Sequence, residues 1–124
     1  FELAEATGLP MFLHMRAAAE DFTDIVLRNR SRFTAGVVHS FTGTAEEAAA
    51  LLAIDGIYIG INGCSLRAPE SLEVVKLLPP DRIMLETDAP WCGIKATHAG
   101  SAHVKSTWPT NKKKEKKQPG ECVK

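Results

Sequence analysis

Four short runs of apolar, β-favouring residues punctuate the chain: Pro10–His14, Gly36–Phe41, Gly56–Asn62 and Arg82–Asp88. None alternates strictly between apolar and polar, as expected of strands covered on both faces. Between them lie three stretches with helical spacing. The first covers about Ala18–Arg30 and sets Phe22, Ile25 and Val26 on one face. The second opens at Thr44-Ala-Glu-Glu47, a capping box in which Thr44 caps and Glu47 reaches back, and runs to about Asp55. The third starts near Pro69, a good first helical residue, and carries Leu72, Val75 and Leu78. The order β-α-β-α-β-α-β predicts a parallel α/β layout, either a piece of a (β/α) barrel or a doubly wound sheet. No GxGxxG or Walker pattern occurs, which counts against a nucleotide-binding fold.

Polar residues end these strands. His14 closes the first run, His39 lies near the end of the second, and Asp88 closes the fourth. In parallel α/β folds the loops after the strands converge at one end, so these three side chains are expected to face one small volume. Two imidazoles and a carboxylate suit zinc, manganese, cobalt or iron, and added carboxylate shifts the preference toward magnesium. Each residue also has a plainer use. A histidine at a strand end is often only hydrogen-bonded, and Asp88 before Ala-Pro can cap the next turn. Glu86 shares a face with Asp88 because side chains alternate along a strand. A carboxylate set one layer below a ligand needs a partner, so Glu86 is expected to orient the ligands rather than bind metal. Cys64 is expected to be a buried small residue, and His98 and His103 to be surface positions. Trp91 either walls the cleft, where it can stack on a base, or packs beneath the loop.

Charge and composition adjust this picture at the edges. At 124 residues and 44% hydrophobic, the chain is one domain's worth of ordinary globular material. Its zero net charge hides an asymmetry. Residues 1–102 carry 8 Lys/Arg against 13 Asp/Glu, and residues 103–124 carry 7 against 2. The repeating pattern is expected to occupy 1–110, followed by a basic, polar, disordered tail over 111–124. Three cysteines without a CxxC argue against a disulfide framework and for a reducing intracellular compartment, cytoplasmic or nuclear. No apolar run is long enough to span a bilayer, so no membrane partner is expected.

Three blocks resemble the signatures of the TatD-related deoxyribonucleases, in the same order and spacing. They are Leu9-Pro-Met-Phe-Leu-His-Met-Arg16, Gly36-Val-Val-His-Ser-Phe-Thr-Gly43 and Leu85-Glu-Thr-Asp-Ala-Pro-Trp91. The continuation Cys92–Ser101 is similar to the eukaryotic branch. The resemblance implies a metal-dependent hydrolase with a (β/α)8 barrel, in which the four strands here are strands five to eight. It puts His14, His39 and Asp88 on the family's metal ligands, with Asp88 also handling a proton. Arg16, at the end of the His14 block, is expected either to contact phosphate or to form a surface ion pair. The implied reaction is hydrolysis of DNA phosphodiesters, typically from a 3' end, with divalent Mg, Mn or Zn. The family's Gly-Glu-x-Gly-Leu-Asp block, whose glutamate bridges two metals, has no counterpart in this sequence, and the Arg-Asn-x-Pro block after the aspartate is also absent.

The chain therefore reads as a fragment, the C-terminal half of a barrel. A half barrel leaves sheet edges and an inner face open, so Val37, Phe41 and Ile83 are expected to meet water and to drive self-association. Besides a nuclease, two readings stand: an inactive truncated chain with residual metal binding or an interaction role, and an amide or ester hydrolase of the same superfamily.

Overall fold

A computed structural model describes residues 1–106. The expected basic tail, with Cys122, lies outside the described residues. Four strands, β1 (Met11–His14), β2 (Gly36–His39), β3 (Ile57–Ile61) and β4 (Ile83–Leu85), form one parallel sheet in the order β1-β2-β3-β4. Helices α1 (Glu2–Thr7), α2 (Ala19–Arg28), α3 (Ala45–Leu52) and α4 (Pro69–Leu77) complete the repeat. Among the described residues no helix is long and apolar enough to cross a membrane.

Each expected helix is present, shorter than its hydrophobic pattern. The capping box starts α3 as read: Glu47 N donates to Thr44 Oγ1 at 3.2 Å, and Thr44 N donates to Glu47 Oε2 at 2.9 Å. Pro69 occupies the first turn of α4. Helix α1 carries no side-chain cap and had no sequence signal beyond its two glutamates.

The core lies between the sheet and α2, α3 and α4. Leu13, Val38, Ile57, Ile59 and Ile61 point from the strands into this layer and are buried together with Val26, Leu51 and Leu78. Arg82 ties the layers together. Its Nε donates to Ile57 O at 2.9 Å, and its Nη2 donates to Ile54 O at 3.1 Å and Leu52 O at 3.2 Å. Leu52 O and Ile54 O lie at and just after the C-terminal end of α3, where a cation is favoured, and Ile57 O opens β3.

The opposite sheet face is set by the same alternation. Register pairs Phe12 with Val37, His14 with His39, Val37 with Tyr58, and Gly60 with Met84. No helix of the described chain covers this face, and Phe12 is 68% exposed. The expected water-facing trio is only partly observed. Val37 is half-buried on this face, but Phe41 is buried, and Ile83, paired with Ile59, faces the helix layer instead and packs against the core. The chain leaves β2 through Ser40 in a left-handed conformation (φ 53°), and Phe41 N then donates to Gly60 O at 3.0 Å. That turn swings the Phe41 ring under the loop and away from the open face.

Strand β4 is also shorter than expected. It ends at Leu85, so Glu86 and Asp88 lie beyond the ladder. Its neighbour explains this. Glu86 N still donates to Ile61 O at 3.1 Å, but β3 then turns away at Asn62–Ser65 and offers no further partner.

Candidate active site

The C-terminal strand ends open into a cleft of about 490 Å³, lined by His14, Arg16, Ser40, Thr42, Cys64, Arg67, Asp88 and Cys92 among others. Three non-glycine residues of the loops at this end have positive φ: Ala17 (52°), Ser40 (53°) and Cys92 (55°). Each such residue costs about 1–3 kcal/mol and persists where surrounding contacts fix it, commonly at working sites.

His14 and His39 are register partners on β1 and β2. Their facing nitrogens, His14 Nδ1 and His39 Nε2, are 2.8 Å apart. The other nitrogen, His39 Nδ1, is 3.6 Å from Glu86 Oε2, longer than a hydrogen bond but close for an ion contact. A carboxylate there favours the proton on Nδ1 and leaves Nε2 as the acceptor facing His14 Nδ1. The Phe12 ring lies against His39 with centroids 4.5 Å apart and limits its rotation.

Glu86 reaches this position by crossing β3. Its Oε1 accepts the Ser40 backbone N–H. The crossing passes over Gly60, where an added Cβ would lie 2.9 Å from His39 Cα and 3.0 Å from Glu86 Oε1. Gly60 is thus part of the site. Sequence reading missed it, although a glycine inside a strand often marks such a close approach. Below Ser40, buried Asn62 donates to Ser40 Oγ at 2.9 Å, and its Oδ1 accepts Cys64 N at 2.9 Å.

Asp88 lines the same cleft but is exposed and does not touch the two histidines as they stand. Its nearest side-chain partner is Cys92 Sγ, 3.7 Å from Oδ2. Among the described residues no three His, Cys, Asp or Glu side chains converge closely enough to hold a metal ion. The donors nevertheless fit a divalent cation in kind, and the two histidines fit it in placement. Two nitrogens on a tetrahedral ion at bonds of about 2.0–2.1 Å sit roughly 3.3 Å apart, so the histidine pair must open by only about half an ångström. His14 and Asp88 are both exposed, so their side chains have room to turn.

Arg16 and Arg67 are exposed on the wall of the cleft. Arg67 had no sequence signal. Trp91 is 75% exposed, which leaves the packed-beneath-the-loop alternative without support. It stands over a second hollow of similar size, lined by Leu66, Leu85, Pro90 and Ile94. His98 differs from expectation: it is buried, and its Nδ1 accepts Lys95 N at 3.2 Å, which closes the loop after Trp91. His103 is exposed as expected. Cys64 is half-buried, and its Sγ is 2.8 Å from Cys92 Sγ. This contact raises the Cys92 thiol to about 11, helped by burial and by the Asp88 carboxylate.

Comparison with known proteins adds sequence and fold similarity. Residues 1–120 match the family model described as TatD related DNase. Deoxyribonuclease Tat-D of Schizosaccharomyces pombe is 42% identical over 123 residues, which is 98% of this chain and 39% of that protein. The 3'-5' ssDNA/RNA exonuclease TatD of Erwinia tasmaniensis is 46% identical over 92 residues, 72% of this chain and 35% of that protein. The crystal structure of a hydrolase TatD family protein from Entamoeba histolytica superposes with a TM-score of 0.75 at 40% identity, over 82% of this chain and 33% of that one. The chain thus spans about two fifths or less of the length of these relatives.

Proposed function

This chain belongs to the TatD-related DNase family, and from that premise we propose that it contributes part of a metal-dependent phosphodiesterase site acting on DNA from the 3' end. The observation that carries the proposal is the His14–His39 pair: two imidazoles in register at adjacent strand ends, backed by a carboxylate at the exit of β4, two strands over from His39. His14, His39 and Asp88 are the residues that would hold the ion, whether Mg, Mn or Zn. When bound, a divalent cation lowers the pKa of water and offsets charge on phosphate oxygens.

The chain's own residues supply the rest. Glu86, held by the Ser40 N–H, keeps His39 oriented with Nε2 toward His14. Asp88, exposed at the rim, takes a proton from the attacking water. Arg16 and Arg67 pair with phosphate oxygens, which lets an otherwise acidic body accept an acidic substrate. Trp91, exposed beside the cleft, offers a face on which a terminal base stacks.

The four strands are read as strands five to eight of a (β/α)8 barrel, with residues 1–110 in that unit and 111–124 as a basic linker. The open face carrying Phe12, Val37 and Met84 is the face that a closed barrel fills, and in this chain alone it favours self-association. Free thiols at Cys64 and Cys92 suit an intracellular compartment, cytoplasmic or nuclear.

The test is release of mononucleotides from single-stranded DNA labelled at its 3' end, with manganese. Loss of label that needs metal and disappears in His39→Ala supports the nuclease reading. No release, with metal still bound, favours an inactive chain. Metal-dependent cleavage of a p-nitrophenyl ester without DNA cleavage favours the amide or ester reading.

A further inference from the structure

Outside the histidine site, one cluster has chemistry that the nuclease reading leaves unused. Cys64, on the loop after β3, and Cys92, on the loop after β4, bring their sulfurs within 2.8 Å across 28 residues of sequence. The approach is built into the loops. Gly63 packs so closely against the Cys92 carbonyl that a Cβ there would overlap it. Cys92 holds a left-handed backbone (φ 55°) that turns its side chain toward Cys64. The Cys64 amide is fixed by Asn62 Oδ1 at 2.9 Å. Arg67 Nη2 lies 3.4 Å from Cys64 Sγ. Both thiols line the cleft.

We propose that Cys64 and Cys92 form a reversible disulfide by exchange with a small-molecule disulfide, and that this bond fixes the loop carrying Asp88. The sulfurs need to close by only about 0.75 Å to reach a bond of about 2.05 Å. Cys64 attacks first, with Arg67 offsetting the charge on its sulfur. One sulfur of the small disulfide bonds to Cys64 and the other leaves as a thiol. Cys92 then attacks Cys64 Sγ and releases the second small thiol. Two protein S–H bonds are lost and one S–S bond forms. The small disulfide takes up the two electrons and two protons. The consequence falls on Asp88, four residues before Cys92. Oxidation removes the Cys92 S–H that faces Asp88 Oδ2 at 3.7 Å and ties that loop to the loop after β3. The pairing itself does not depend on the nuclease reading.

The test uses the 124-residue chain with Cys122→Ser, so that the third thiol takes no part. The protein is equilibrated with graded ratios of reduced and oxidised glutathione, quenched in acid and weighed intact. The expected product is lighter by about 2 Da, and digestion without reductant gives one peptide joining Cys64 to Cys92. Dithiothreitol reverses it, and Cys64→Ser and Cys92→Ser each abolish it. Separate glutathione adducts without the joined peptide overturn the proposal, as do two thiols that stay open to alkylation at every ratio. In the oxidised form, amide exchange over residues 86–93 slows by about tenfold or more. Unchanged exchange there overturns the link to Asp88.

Discussion

Glu86 on the fourth strand's exit accepts the backbone N–H of Ser40 at the second strand's exit, with the third strand passing between them. This one bond links the carboxylate that follows β4 to the turn that follows His39. It is possible because Gly60 has no side chain in the path.

Replacing Gly60 with alanine therefore strains two elements at once. The new Cβ meets His39 Cα, which is backbone and cannot yield, as well as the Glu86 carboxylate. Urea unfolding of Gly60→Ala is expected to show a loss of about 1–3 kcal/mol, the usual range for overpacking. A variant as stable as the parent would show that the crossing is not as tight as described.

Glu86 separates charge from hydrogen bonding. Glu86→Gln keeps an acceptor for Ser40 N–H and should unfold near the parental midpoint. Glu86→Ala leaves that donor without its partner, a loss of about 1–3 kcal/mol if it stays buried. Both should weaken metal binding by about 10–100-fold, the usual effect of removing a residue that orients a metal-bound histidine. Equal metal affinity in Glu86→Gln and parent would remove Glu86 from any role at His39.

How far the sequence anticipated this site depends on the range of the contacts. The helix and strand skeleton was legible because period and caps are local: Thr44 with Glu47, Pro69, and the apolar runs. His14 and His39 were expected at one strand end, and they are register partners. The role of Gly60 and the Ser40 N–H bond to Glu86 were not legible, because both arise from pairing across strands. Asp88 was expected to close a strand. It does not, because the length of β4 is set by where β3 turns away. Cys64 and Cys92 gave no signal because their meeting depends on two loops folding together, not on a spacing motif.

The cysteine pair also predicts a pH dependence. The Cys92 thiol is raised to about 11, with the hydrogen bond to Cys64 as the largest cause. An acid raised in the folded state favours folding while it is protonated. That contribution is full below the ordinary thiol value of about 8.5 and is lost as pH rises through about 11. Iodoacetamide should therefore label Cys92 slowly at pH 8 and faster as pH approaches 11. In Cys64→Ala the rise should shift toward the ordinary range. Equal labelling profiles in the two proteins would discount the Cys64 contact.

The uncovered sheet face makes a separate prediction. Phe12 and Met84 on this face are 68% and 44% exposed, and both edge strands lack a neighbour among the described residues. Such a face is an association surface. Size-exclusion chromatography with light scattering should show dimers or larger species that dissociate on dilution, and Phe12→Ser should shift them toward monomer. A monodisperse monomer with one sharp thermal transition would contradict this.

The central claim is that His14, His39 and Asp88 form a metal site at the strand ends. Calorimetric titration of manganese into the 124-residue chain tests it most directly. The account predicts saturable heat, with affinity lowered about tenfold or more in His14→Ala, His39→Ala and Asp88→Ala, all three still folded by circular dichroism. Absence of metal-dependent heat, or heat unchanged in His39→Ala, would contradict it.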